Sequence, residues 1–484
     1  MNIKVLGKNI VIYSIGNIAL RAVSVLLIPL YTRYLSVENY GLLDICIITI
    51  QILVIFMSLG MPQSLIRYYK GCEKKEEIGA LYTTSFSINL LGGIVLIFLM
   101  WIFTRPFSRL IFGGKVYIYI LLIVTFISLV RSLSVLSLSF FRAKNKALTY
   151  SIFAVIIMIG LLITNVIFVV YLKRGVLGIL YSNLIVYGCA ALFIGIYILS
   201  KHRPKISISI SKKLFSFGSP LIFSMSGWFI LHMSSRYFLA HYSGLGEVGI
   251  YGLGYRIATI LLILVVMPFQ LAFGPFIFSQ ERDPKLKEKI SRVFTYLLLI
   301  LFFSSWGTAL ISRNIIQILA PPEYNESYFV ILLILPAIIS MGIYYWAASL
   351  LHLMKKTKLL ALIIISSAIV NIILNILLIP KYGWHGAAVS TNISIFLATF
   401  SNFFFGVKYY KIEFEISRLY KMGMSFFVLV GVLIFSIQFS SLLYYFMNGF
   451  TCLVIFIILF KSKFLCDNER KYLQDVLLKV RSKR

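Results

Sequence analysis

Four arginines lie inside apolar stretches that are long enough to cross a membrane: Arg21, Arg131, Arg236 and Arg256. A guanidinium near the centre of a bilayer costs about 2.5–3.5 kcal/mol, so four of them need water or a partner within reach. The planar guanidinium group is well matched to the oxygens of phosphate. We therefore predict a hydrated, cationic cavity that receives an anionic ligand.

These arginines share their helix faces with other polar side chains. Asn17 and Arg21 are four residues apart on the first predicted helix, and His232 and Arg236 have the same spacing on the seventh. Residues four apart lie on one face of a helix. The predicted substrate-binding set has six members: Arg21, Asn17, Arg131, His232, Arg236 and Arg256.

Three of the candidates also have a structural interpretation. Arg131 can lie close enough to the inner interface for its guanidinium to reach water. Arg256 can pair with Glu247 nine residues earlier, and His232 can serve helix packing instead of ligand contact. Arg21 and Arg236 are the stronger candidates.

Acidic side chains are almost absent from the apolar stretches. Glu38, Asp44 and Glu247 stand near the predicted outer ends of their spans. A pathway for cationic ligands would need buried carboxylates, so this pattern favours an anionic ligand. Asp44 is the one candidate for an acid that couples transport to an ion.

The composition excludes several classes of protein. Of the 484 residues, 60% are hydrophobic and 13% are charged, whereas soluble domains have about 25% charged residues. An ordinary soluble enzyme and a disordered chain are both excluded. The five cysteines are scattered and odd in number, and the five histidines show no metal-ligand spacing. We expect no metal, no cofactor and no catalytic residue.

Apolar stretches of about 18 or more residues can span a bilayer as helices. The sequence predicts an all-α membrane protein with about fourteen such spans: 10–31, 42–63, 81–104, 116–140, 149–172, 179–200, 219–241, 248–274, 290–312, 328–353, 359–380, 386–407, 422–440 and 442–460.

The net charge of +30 is explained largely by topology. Of the 46 lysines and arginines, 34 fall in alternate connecting segments and at the two ends, and 8 fall in the remaining connections. Positive residues collect on the cytoplasmic side of membrane proteins. Both termini are therefore predicted to be cytoplasmic, and only the four intramembrane arginines remain unexplained.

Landmarks of the first half recur in the second at offsets of 204–209 residues, such as Glu38 with Glu247 and Pro62 with Pro268. Each repeat covers six spans, which is typical of transporters that rock two bundles around a central site. The predicted divisions are a lobe over 1–200, a basic linker over 201–218, a second lobe over 219–407, two additional spans over 408–460 and a basic tail over 461–484 that forms an interfacial helix.

Four stretches resemble a known family. They are PLYTRYLSVENYGLL at 29–43, FFRAKNK at 140–146, EVGIYGLGYRI at 247–257 and KYGWHGAA at 381–388. They are similar to the polysaccharide-transporter branch of the multidrug/oligosaccharidyl-lipid/polysaccharide flippase superfamily, that is, to Wzx-type flippases of O-antigen or exopolysaccharide units.

The resemblance implies a MATE-like fold of fourteen helices in the bacterial inner (plasma) membrane. It implies that the substrate is an undecaprenyl-pyrophosphate-linked oligosaccharide, and that a polysaccharide polymerase and chain-length machinery act beside the protein and the membrane lipids. Arg21, Arg131, Arg236 and Arg256 fit the cationic lumen of that family. Nucleic acid is not an expected partner, because the basic residues are spread over eight segments.

Two other functions compete with this one. A cation-coupled multidrug exporter of the same superfamily would need buried acids. A membrane glycan polymerase, ligase or glycosyltransferase would need a large loop or a cluster of acids, and the longest internal connection, 201–218, contains no acid.

Overall fold

The computed structural model describes residues 23–461 apart from Ser24, Arg203, Ile437 and Ser440. Within these residues every regular element is a helix. The predicted first span is described only from residue 23 onward. Arg21, Asn17 and the predicted interfacial helix of the tail lie outside the described residues.

The first half of the chain, here called the first lobe, consists of helices joined mostly by short turns. Its helices are α1 (Ile28–Tyr34), α2 (Val37–Ser58), α3 (Met61–Tyr69), α4 (Lys75–Ile102), α5 (Thr104–Ile111), α6 (Ile118–Ala143), α7 (Ala147–Asn165) and α8 (Gly175–Lys201). A π-helical turn over Val166–Tyr171 extends α7.

The second half of the chain, here called the second lobe, also consists of helices, and two further helices follow it. Its helices are α9 (Ile208–Met233), α10 (Ser235–Tyr242), α11 (Leu245–Leu261), α12 (Met267–Ser279), α13 (Leu286–Leu319), α14 (Ser327–Leu353), α15 (Thr357–Tyr409), α16 (Ile416–Ser436) and α17 (Ser441–Lys461). A π-helical turn, Leu262–Val266, joins α11 to α12.

Eleven of the described helices, some of them joined end to end, are long and apolar enough to cross a membrane. One of these, α15, has 53 residues and bends back at Gly383, whose φ of 53° is non-helical, so it supplies two spans. A shorter apolar helical segment, Leu443–Ile455, follows these. The predicted all-α membrane fold is confirmed, and the structure is consistent with fourteen spans.

Helix α9, which corresponds to the seventh predicted span, begins before the apolar stretch that predicts it. The sequence places the span at 219–241, whereas α9 starts at Ile208. The Ser207 hydroxyl accepts a hydrogen bond from the Ile210 amide at 3.4 Å and so caps the helix. Lys212 and Lys213 therefore lie on a helix that extends beyond the apolar core.

The two lobes meet closely along α2 and α11. A methyl group on Gly41 would lie 1.9 Å from the Leu245 carbonyl oxygen, and one on Gly249 would lie 2.2 Å from the Val37 carbonyl oxygen. The Tyr324 hydroxyl also donates to the Leu35 carbonyl at 3.2 Å. We call these contacts together the outer seam. Positions 41 and 249 need glycine because the two backbones nearly touch there.

A second seam joins the lobes at the other end of the bundle. This end, here called the basic face, bears the basic turns 142–146 and 355–358. The Ser64 hydroxyl of α3 donates to the Leu214 carbonyl of α9 at 3.0 Å. The Arg67 guanidinium stands 4.3 Å from the centre of the Phe217 ring. The space between the two seams is the position of the candidate site.

Candidate binding cavity

A cavity of about 520 Å³ lies between the lobes, and both lobes line it. Its walls come from α1, α2, α6, the end of α7 and α8 on one side and from α9, α10 and α11 on the other. Three of the predicted arginines, Arg131, Arg236 and Arg256, line it together with Asp44. Asp44 and Arg256, which are 212 positions apart in the sequence, thus meet at one cavity.

Arg236 is held at the junction of α9 and α10. Its side chain is buried, and its Nε lies 2.6 Å from Oδ2 of Asp44. This contact is a close ion pair without the alignment of a hydrogen bond. Nη1 donates to the His232 carbonyl at 3.2 Å, and the guanidinium lies 4.5 Å from the Tyr255 ring centre. The arginine is therefore held by the end of the preceding helix, α9, and by an aromatic face.

Arg256 approaches the same carboxylate from α11. Its Nη2 donates to Oδ1 of Asp44 at 2.8 Å. Its Nη1 is buried and has no hydrogen-bond partner within the described part of the chain. A Cβ at Gly252 would lie 2.6 Å from Oδ2 of Asp44, so the absent side chain leaves room for the pair.

The arginine–aspartate cluster joins the two lobes, since Asp44 belongs to α2 and both of its partners belong to the second lobe. The alternative pairing of Arg256 with Glu247 is wrong. Oε2 of Glu247 instead accepts a hydrogen bond from the Trp384 amide at 2.9 Å, where the chain re-enters a helix after Gly383. A carboxylate at a helix start satisfies an amide that has no partner within the helix.

Arg131 reaches the cavity from α6. It is half-buried, and its guanidinium lies 5.2 Å from the centre of the Tyr187 ring. No carboxylate among the residues that the structure describes pairs with it. The cavity wall described here therefore holds three positive charges and one negative charge.

His232 lies one helical turn from Arg236 and outside the cavity lining. Its Nδ1 is 3.1 Å from the Tyr255 hydroxyl, and its ring lies 4.4 Å from that of Trp228. The structure thus places it behind Tyr255, which itself lines the cavity. The binding roles predicted for Arg21, Asn17, Arg131, His232, Arg236 and Arg256 stay predictions, as does the ion-coupling role of Asp44.

Tyrosines and amides complete the cavity wall beyond the predicted binding set. Tyr31, Tyr187 and Tyr255 line the cavity with Gln51 and Asn183. Tyr255 could have been found from its place beside Arg256. The others occur in apolar helices with nothing in their spacing to distinguish them from ordinary membrane-helix residues.

Comparisons with known proteins identify the family. The family described as polysaccharide biosynthesis protein matches residues 6–281, which is more than half of the chain. This protein belongs to the polysaccharide biosynthesis protein family. The resemblance to the polysaccharide branch of the flippase superfamily is thereby confirmed.

Two curated relatives of this family member come from bacteria. It is 24% identical to the Lsg locus putative protein 1 of Haemophilus influenzae, over 58% of this chain and 67% of that one. It is 25% identical to the succinoglycan biosynthesis transport protein ExoT of Rhizobium meliloti, over 64% of this chain and 62% of that one.

Solved structures confirm the MATE-like fold of this family member. The lipid II flippase MurJ, in an inward closed conformation, superposes with a TM-score of 0.76 at 19% identity, over 93% of this chain and 99% of that one. An inward-facing MATE multidrug resistance transporter superposes with a TM-score of 0.65 at 14% identity, over 82% of this chain and 94% of that one.

Proposed function

We propose that this protein is a flippase that moves an undecaprenyl-pyrophosphate-linked oligosaccharide across the bacterial inner membrane. The cargo is a repeat unit of O-antigen, capsule or another exopolysaccharide. One observation supports this above all: three arginines and a single acid surround a cavity between two lobes in a member of the polysaccharide biosynthesis family. The reaction is movement, with no covalent step.

The proposed ligand group is the pyrophosphate. Its oxygens accept hydrogen bonds from guanidinium groups in pairs, and hydrogen bonds to charged groups contribute about 1.5–3 kcal/mol each. Nη1 of Arg256 and the guanidinium of Arg131, which have no hydrogen-bond or carboxylate partner, respectively, among the described residues, supply donors. Arg236 supplies more once Asp44 releases it. Arg21 and Asn17, on the first predicted helix, belong to the same proposed set.

The arginine–aspartate cluster couples binding to movement in this proposal. Asp44 holds Arg236 and Arg256 and thereby ties the first lobe to the second at the outer seam. A bound pyrophosphate competes with Asp44 for the same guanidinium groups. Binding then loosens the outer seam and lets the lobes separate on that side, which is alternating access driven by differential affinity.

The proposed direction follows from the charges. With the basic face in the cytoplasm, both termini are cytoplasmic and the outer seam faces away from it. A membrane potential that is negative inside drives anions outward. It favours this movement by about 2.3 kcal/mol per charge per 100 mV. The product would then meet a polysaccharide polymerase and chain-length machinery on the far side.

The experiment is complementation in a strain that lacks this gene and has no redundant flippase. The wild-type gene should restore surface glycan, whereas Arg236→Gln should leave the lipid-linked precursor inside. Glu247→Gln is the matched control because Glu247 caps a helix and contacts no arginine in the described residues. Normal surface glycan without the gene, and no trapped precursor, would refute the proposal.

A cation-coupled multidrug exporter is the second candidate, because Asp44 is a buried carboxylate on the cavity wall and the MATE fold is shared. An exporter predicts drug resistance that disappears in Asp44→Asn. A flippase predicts no resistance with either form.

A further inference from the structure

A second hollow, of about 130 Å³, lies at the basic face of the first lobe. It is lined by Lys144 and Lys146 in the turn after α6, by Lys201 at the end of α8 and by His202 beyond it, with Phe140 and Tyr197 as its main aromatic walls. It shares no lining residue with the central cavity. We call it the lysine pocket.

The lysine pocket concentrates positive charge without an internal counter-charge. Lys144, Lys146 and Lys201 all line it, and Lys75 at the start of α4 acts electrostatically on Lys144. No carboxylate forms an ion pair with any of these four in the part of the chain that the structure describes. Burial and the neighbouring ammonium groups, Lys146 foremost, lower the pKa of Lys144. The positive charges of the pocket therefore lack a counter-charge among the described residues.

His202 gives an independent sign of a missing partner. Its side chain is only 6% exposed, and its Nδ1 is buried without a hydrogen-bond partner in the described residues. The ring packs edge-on against Phe140 with 5.7 Å between centroids. A buried polar atom that lacks a hydrogen-bond partner destabilises the folded state, and a phosphate oxygen that accepted a hydrogen bond from Nδ1 would remove that cost.

The pocket also has walls suited to a ligand with a hydrocarbon part. The Lys201 ammonium donates to the Tyr197 hydroxyl at 2.8 Å, so its charge is held at the rim. Tyr197 is 38% exposed and Phe193, one turn earlier on α8, is 71% exposed, on a helix that spans the membrane. Cations beside an apolar, membrane-facing helix match a phosphate that carries acyl chains.

We propose that the lysine pocket binds a phosphate group, either the headgroup of an anionic phospholipid in the adjoining leaflet or free phosphate. Basic pockets between membrane helices on the cytoplasmic side bind lipid head groups in this way. The site is distinct from the proposed transport cavity, and its ligand bridges α6, α8 and the start of the linker between the lobes. Binding there fixes the linker at its first residue.

The test uses the purified full chain in detergent and counts retained lipids by native mass spectrometry. Phosphatidylglycerol and phosphatidylcholine are offered in turn, with and without inorganic phosphate. The variant is Lys144→Gln with Lys201→Gln. The matched control is Lys355→Gln with Lys356→Gln, which removes two charges from the corresponding turn between α14 and α15 on the same face.

We expect retention of phosphatidylglycerol over phosphatidylcholine, reduced at least tenfold in the pocket variant and unchanged in the control. Competition by millimolar phosphate assigns the site to the phosphate group, and phosphate binding without lipid retention assigns it to free phosphate. Binding of neither probe, or an equal loss in the control, overturns the proposal. If the double variant does not fold, His202→Gln must weaken binding at least threefold. Surface glycan is not the readout, so the result is independent of the transport proposal.

Discussion

Replacing Asp44 with asparagine should make the central cavity bind anions more tightly. Asp44 is 3% exposed and lies 2.6 Å and 2.8 Å from the nitrogens of Arg236 and Arg256. It occupies the guanidinium groups that a pyrophosphate would use. Asparagine keeps the shape of the side chain and removes the competing charge, so the cavity wall changes from two net positive charges to three.

The magnitude follows from Coulomb's law. A unit negative charge about 5 Å from Asp44 is repelled by about 3 kcal/mol at an effective dielectric constant of 20. This corresponds to about 100-fold in affinity, and water in the cavity reduces it toward 10-fold. Arg236→Gln acts in the opposite direction, because it removes one or more charge-assisted hydrogen bonds of about 1.5–3 kcal/mol.

The assay is binding of inorganic pyrophosphate to the purified protein by isothermal titration, with thermal unfolding in parallel. Asp44→Asn alone should lower the melting temperature, because two buried guanidinium groups lose their partner, and pyrophosphate should restore it. Glu247→Gln is the control and should leave pyrophosphate affinity unchanged. Equal or weaker pyrophosphate binding by Asp44→Asn in a folded protein would show that Asp44 does not compete with the ligand.

Three further predictions follow from the structure. Arg131→Gln should weaken pyrophosphate binding about 10-fold while leaving the melting temperature unchanged, because Arg131 has no carboxylate partner in the described residues; a large loss of stability would contradict this. Gly41→Ala should destabilise the protein by about 1–3 kcal/mol in a thermal unfolding assay, since its methyl group would lie 1.9 Å from the Leu245 carbonyl oxygen, whereas Gly246→Ala, with its nearest neighbour at 4.0 Å, should be tolerated. Phosphatidylglycerol binding should tighten as the pH falls from 7.5 to 6. Burial and the Lys144 ammonium lower the pKa of His202, a hydrogen bond with the Lys75 backbone raises it, and the Lys75 and Lys201 ammonium groups lower it further. A bound phosphodiester favours the protonated ring and so opposes the net lowering. Titrations of wild type and His202→Gln check this, and an identical pH dependence in the two would exclude a role for His202.

The helices were largely predictable from sequence because a bilayer imposes one simple demand. Every spanning segment must be apolar over about 18 or more residues and must satisfy its own backbone hydrogen bonds. The first and last residues of the helices were less predictable, because capping can extend a helix past the apolar stretch. Ser207 caps α9, which begins at Ile208, eleven positions before the predicted span. A hydropathy pattern carries no information about such a cap.

The sequence by itself also singled out Arg131, Arg236 and Arg256, because a guanidinium in a bilayer is costly enough to require an explanation. Only the tertiary structure decided which carboxylate they meet. The nearby Glu247 was the obvious partner for Arg256, yet the partner is Asp44, 212 residues away on the other lobe. That pairing depends on how closely α2 and α11 approach at Gly41, Gly249 and Gly252. Local spacing determines which residues share a helix face, whereas contact between helices is set by backbone packing across the whole fold.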